Sequence, residues 1–189
     1  MATDDGSKVL RWLRGRPSTT EDTRTLWMKS LLNALLFFGI FMVALPWVAH
    51  TVLPLSLPVP VEIGVWGGGG FLVIGIAGWM ASINAFVQQG RGTPLPADAP
   101  DRLVTKGLFR IVRNPMITSE LMVIWGEALY VASVGSALYG VVITIVAHLV
   151  VVRVEEPVLR KRFGDSYEIY CRNVPRWFPR FRLGGSEGQ

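Results

Sequence analysis

Apolar residues in this chain gather in long blocks separated by short polar or proline-rich breaks. A membrane-crossing helix needs about 20 mostly apolar residues. Four blocks approach that length: about Leu26 to Val48, Val65 to Val87, Ile117 to Val134 and Ser136 to Val152. The pattern predicts an all-α, polytopic integral membrane protein with four transmembrane helices, or five if one more crossing is hidden. Short helices should follow the last span.

The breaks between blocks differ in kind. Pro54, Pro58 and Pro60 rule out a continuous helix between the first two spans and predict a short turn. Residues 88–116 make the one long connection, rich in Gly, Pro and Asp and then basic. A tight turn near Gly135 should join the last two spans as an antiparallel hairpin. The first 25 residues, polar and mixed in charge, read as an N-terminal arm without a signal-peptide pattern, leaving 26–189 as one membrane domain.

Composition agrees with lipid exposure. Half of the 189 residues are hydrophobic (50%), more than a soluble core of this size can use. The single cysteine, Cys171, excludes an internal disulfide framework. A net charge of +5 could suggest nucleic acid, but the distribution of charge explains it otherwise. The basic residues lie before or at the opening of the first span, in the long connection and from Arg153 onward, while the other two connections hold no Lys or Arg. The positive-inside rule then puts both termini and the long connection in the cytoplasm. Membrane lipids are the expected partners, with no nucleic acid and no metal.

Within the spans, Gly67 to Gly70 lacks the preceding strand and following Lys-Ser/Thr of a phosphate loop, and reads as close helix packing. Ala77 with Ala81 and Gly78 with Ser82 continue that spacing, and Asn84 reads as interhelical glue. No alternation of strand and helix supports a Rossmann-type methyltransferase or dehydrogenase. Glu120 and Glu127 share a helix face, and His148 falls at a depth comparable to Glu120, so Glu120 and His148 could pair. His50 reads as an interfacial residue with no specific task.

The stretch that demands a reason is Glu155-Glu156 at the end of the last apolar block, because charge at membrane depth is costly. Pro157 follows at once; it lacks an N–H and clashes with the carbonyl of Arg153, so the helix should kink or restart there. Farther along, Asp165 is placed to cap a short helix, with Glu168 three residues on. Across the same face, Asn114-Pro115 predicts a helix N-terminus whose free amides suit an anion. Carboxylates, arginines and free amides beside an apolar cavity suit a zwitterionic, partly cationic cofactor and a lipophilic acceptor; S-adenosylmethionine is one such cofactor.

The run Arg102-Leu103-Val104-Thr105-Lys106-Gly107-Leu108-Phe109, then Arg113-Asn114-Pro115, then Glu155-Glu156-x-x-Leu159-x-x-x-Phe163-Gly164-x-x-Tyr167-x-x-Tyr170 and Val174-Pro175-Arg176 resembles the isoprenylcysteine carboxyl methyltransferase family and its prokaryotic relatives, which include phospholipid N-methyltransferases. The resemblance implies a polytopic enzyme that uses S-adenosylmethionine on the cytoplasmic side to methylate lipophilic substrates. It implies a site formed by residues 100–117 and 150–180. By the same resemblance, the cofactor contacts are Arg102, Leu103, Val104, Phe109, Asn114, Pro115, Met116, Ile117 and Glu155. Phe109 and Ile117 stand where the family commonly has Tyr. The arginine that eukaryotic members place before the first glutamate falls on Val151, which leaves Arg153, with Glu156, as the catalytic candidates on the substrate side.

The chemistry expected is direct in-line methyl transfer, with the protein orienting the reactants and excluding water. A carboxylate acceptor needs no general base; an amine acceptor does, and Glu156, Glu120 and His148 are its candidates. Two rivals stand beside this reading. One is an NADPH-dependent sterol-reductase-like enzyme, suggested by the ending from Phe163 to Pro175. The other is a non-enzymatic four-helix scaffold in which the glutamates and arginines only form salt bridges.

Overall fold

The computed structural model describes residues 23–90 and 102–179, so the N-terminal arm up to residue 22 and the Gly/Pro-rich part of the long connection lie outside the described residues. Within them the chain is helical, with one isolated bridge between Ser56 and Ser133 and no strand.

The first helix runs from α1 (Thr23–Phe37) through a π-helical turn, Phe38–Ala44, into α2 (Leu45–Val52). Pro46 stands at the start of α2. It cannot donate to the carbonyl four residues back, and the wider turn before it absorbs the loss. The second helix passes through Ile63–Gly68, again π-helical, into α3 (Gly69–Ala85). The second helix ends in a further π-helical turn, Phe86–Gly90, and then come α4 (Pro115–Tyr130), α5 (Val134–Val150), a fourth π-helical turn at Val151–Glu155, α6 (Glu156–Phe163) and α7 (Asp165–Asn173).

Three stretches are long and apolar enough to cross a membrane: Leu35–Val52, Ile63–Gln89 and Val134–Phe163. Their outward side chains, such as Leu36, Val52, Trp66 and Val73, are apolar and exposed, as lipid-facing surface should be. The span expected over 117–134 is α4, which at 16 residues is only about 24 Å long. It is the innermost helix, with Ser119, Val123, Ile124, Gly126 and Ala128 buried.

Packing of α4 on the second helix depends on missing side chains. A Cβ on Gly68 would come within 2.7 Å of the Gly126 carbonyl oxygen, and one on Gly126 within 2.9 Å of the Gly68 oxygen. The two backbones touch where no other residue fits, so part of the four-glycine run does serve close helix packing. Gly69 and Gly70 have open space.

At the far end, the proline-bearing segment pairs with the α4–α5 turn: Leu57 N–H donates to Ala132 O at 2.7 Å and Val134 N–H to Leu55 O at 2.9 Å. That turn lies at residues 131–133, before Gly135. Gly135 is instead a crossing point, where a Cβ would overlap the Ala49 carbonyl. His50 has a definite partner, with Nδ1 3.0 Å from Ser133 Oγ, because the fold carries Ser133 over the end of α2. Asn84 is exposed and makes no hydrogen bond among the described residues, since its side of α3 faces away from α4.

The kink expected at Pro157 takes a milder form. Glu156 N–H bonds back to Val151 O, five residues earlier, and the helix continues through Val134–Phe163. One widened turn accommodates the proline without ending the helix.

Candidate functional site

Most charged side chains of the described residues collect at one end of the bundle, where the 102–115 segment, the π-turn, α6, α7 and residues 174–177 meet. The centre of this layer is Glu156, buried with its side chain 3% exposed. Arg176 approaches it edge-on, Nε to Oε1 at 2.6 Å and Nη2 to Oε2 at 3.0 Å. Arg113 Nη1 reaches Oε1 at 3.2 Å, and Arg160, one helical turn on, reaches Oε2 at 3.7 Å. Three guanidiniums thus answer one carboxylate, and the hydrogen bond to Glu156 raises the pKa of Arg176 further.

Backbone and aromatic contacts fasten the same layer. Arg113 N–H donates to Pro175 O at 2.8 Å, and Asn114 Nδ2 donates to Arg176 O at 3.3 Å. Arg113 Nη1 also lies 2.7 Å from Cys171 Sγ, which ties the lone cysteine to this packing. Tyr170 donates its hydroxyl to Phe109 O at 2.6 Å, and burial pushes the phenols of Tyr167 and Tyr170 up. Asp165 makes no capping bond at α7; the chain turns at Gly164 and starts the helix there, which leaves Glu168 free to accept from Arg160 at 2.8 Å.

Glu155 differs from its neighbour in every respect. Partly buried, it has no hydrogen bond or ion pair among the described residues. It lies within electrostatic reach of Glu120, which accepts from the Trp79 indole at 3.1 Å. The N-terminus of α4 enters at the same end. Asn114 precedes Pro115 and offers no side-chain cap. The first amide with a helical acceptor is that of Thr118, bonded to Asn114 O at 3.0 Å. Those of Met116 and Ile117 precede the helix ladder and have no acceptor within it.

A match to the phospholipid methyltransferase family spans residues 64–166, more than half of the chain. The chain belongs to the phospholipid methyltransferase family. No curated protein sequence matches it closely enough to stand as a relative. The family membership bears out the resemblance drawn from the motifs and, with three apolar helices of spanning length, makes this a membrane methyltransferase-type chain. The matched region of this phospholipid methyltransferase family member takes in Gly68, Glu120, Asn114 to Ile117, Glu155 and Glu156, but ends before Tyr170 and Arg176.

The residues singled out from the family motif fall in this one layer but do different things. Leu103 packs on Tyr167, Tyr170 and Val174; Val104 and Phe109 pack with Ala85; Met116 packs on Trp79, Ile83 and Val87. Pro115 is buried and Ile117 half-buried, while Arg102 and Arg153 are exposed. The missing hydroxyl at Phe109 therefore falls in an apolar cluster, where an unpaired hydroxyl would be costly. Glu120 and His148 do not pair. Glu120 goes with the face of α4 that packs on α3, whereas His148 is exposed on α5 and accepts from the Trp177 indole at 3.2 Å. Glu127 has a buried Oε2 without a hydrogen-bond partner among the described residues.

Sequence reasoning did not identify Trp79, Arg113 or Arg176 as site residues. A mid-span indole opposite a mid-span glutamate was the available signal for Trp79, since a buried N–H needs an acceptor. For Arg113 and Arg176 the signal was their place inside the quoted motif, beside Asn114-Pro115 and Val174-Pro175.

Proposed function

We propose that the chain transfers a methyl group from S-adenosylmethionine to a lipophilic acceptor, at the membrane face that the positive-inside pattern makes cytoplasmic. The observation that carries this reading is Glu155, a carboxylate without a hydrogen bond or ion pair among the described residues, at the same end of the bundle as a helix N-terminus with free amides. The charges suit the two ends of an amino-acid group: Glu155 for its ammonium, the Met116 and Ile117 amides for its carboxylate. An apolar surround from Met116 and Ile117 suits the remainder. Bound S-adenosylmethionine would supply a methyl group made electrophilic by its sulfonium.

The chain's own residues bind, orient and shield. Glu156 and its three arginines hold the 113–117 segment against α6, which fixes Glu155 relative to the α4 amides. Leu103, Val104 and Phe109 close the layer from water on the side of α7. Arg153, exposed beside the π-turn, is available to the head group of an incoming acceptor. A scaffold that used its glutamates only in salt bridges would account for Glu156, but not for Glu155, which has no ion pair among the described residues.

The test is to incubate membranes containing the protein with methyl-labelled S-adenosylmethionine and follow the label. Transfer into a lipid fraction supports the reading, base-labile label marking an ester and stable label an amine or ether. No transfer beyond that of membranes lacking the protein would contradict it.

A further inference from the structure

Three groups on the chain could serve an amine acceptor as proton acceptor, and the structure separates them. Glu156 has both oxygens occupied by guanidiniums. His148 is exposed and its Nδ1 accepts from Trp177. Glu120 has a different setting. It lies four residues beyond Met116 on α4 and so one turn, about 5–6 Å, deeper on the same face. Both residues lie against Trp79, Met116 by packing and Glu120 through its Oε1 at 3.1 Å from the indole Nε1. The indole bond fixes the carboxylate, and it is the only hydrogen bond to Glu120 from a described residue. Among the described residues, the charged group within electrostatic reach of Glu120 is Glu155, another carboxylate.

We infer that Glu120, held by Trp79, is the acceptor-side residue of the site: it receives a cationic head group entering from the bilayer and takes a proton from it. This rests on the methyl-transfer reading above. Glu120 lies one turn beyond Met116, a proposed cofactor contact, toward the membrane interior, where a lipophilic acceptor arrives. An ammonium finds an oriented carboxylate there, whereas a carboxylate acceptor would meet a like charge. The bookkeeping closes. The ammonium gives one proton to Glu120, leaving a neutral amine and a neutral carboxyl group. The amine nitrogen then forms a bond to the methyl carbon as that carbon's bond to sulfur breaks. Both electrons of the broken bond remain on sulfur, so the positive charge passes to nitrogen.

Glu120→Gln keeps an oxygen for the Trp79 indole and removes only the charge. The experiment measures binding of dodecylamine and of dodecanol to the full chain in nanodiscs, against empty nanodiscs, with and without S-adenosylhomocysteine. The wild type should prefer the amine at least tenfold, and E120Q should lose that preference while its affinity for S-adenosylhomocysteine is unchanged. An amine preference that survives in E120Q, or is absent from the wild type, would overturn the role of Glu120. Failure of the wild type to bind S-adenosylhomocysteine would instead count against the methyl-transfer reading, while the arm without it still decides Glu120.

Discussion

Arg176 and Glu156 meet through two parallel hydrogen bonds, 2.6 and 3.0 Å long, that join the segment after α7 to the end of the last apolar helix. Removing one side of a buried ion pair costs about 3–5 kcal/mol, because the remaining charges are left without an answer. Glu156→Ala should therefore destabilise the protein by about 3 kcal/mol and leave Arg113 and Arg176 crowded together. Arg160→Ala should change little, about 0–1 kcal/mol, since that arginine is largely in solvent and 3.7 Å away. Unfolding in detergent by denaturant, read by tryptophan fluorescence, compares the two; equal effects would refute the central place given to Glu156.

The packing of α4 makes a second prediction. Gly68→Val or Gly126→Val puts side-chain atoms where backbone already lies, and overpacking of this kind costs about 1–3 kcal/mol or more. Gly70→Ala enters open space and should be neutral or slightly stabilising. Thermal unfolding of the three variants in one detergent checks the order.

Much of this fold could be read from the chain because the deciding features are local. Apolar blocks, the Pro54 to Pro60 break and the four-glycine run each act within a few residues, and each became the helix, turn or contact that its chemistry implied. Pro157 was legible as a disturbance, but its form, one widened turn at Val151–Glu155, depends on tertiary packing that keeps the helix whole. The double glutamate was legible as a costly charge pair, which the family resemblance divided between cofactor and substrate sides, but the contacts of its members were not. The partners of Glu156 come from positions 113, 160 and 176, three stretches that only the fold brings together. The same holds for Glu120. Its matching depth with His148 was visible in the sequence, while the direction it faces followed from the glycine contact of α4 with the second helix.

Alkali should loosen the layer in a defined window. Burial raises the phenols of Tyr167 and Tyr170 above their ordinary value of 10.0, so the folded state keeps protons that the unfolded state gives up. Stability from this source is fully present below pH 10.0 and falls as pH rises beyond it. Tyr170→Phe removes part of that slope and, through the lost bond to Phe109 O, costs about 1–3 kcal/mol at neutral pH. Denaturant midpoints between neutral pH and about pH 11 measure both effects.

Glu155 carries the central claim, and its carboxylate has no hydrogen bond or ion pair among the described residues, so replacing it should leave the fold intact while removing the charge proposed to hold the cofactor's ammonium. The decisive measurement is calorimetric binding of S-adenosylhomocysteine to wild-type, Glu155→Gln and Glu155→Ala proteins in nanodiscs. Loss of a charge-paired contact of about 2–5 kcal/mol predicts at least about a 30-fold weaker affinity for Glu155→Gln, no detectable binding for Glu155→Ala, and unchanged unfolding midpoints. Wild-type affinity retained in both variants would contradict the account.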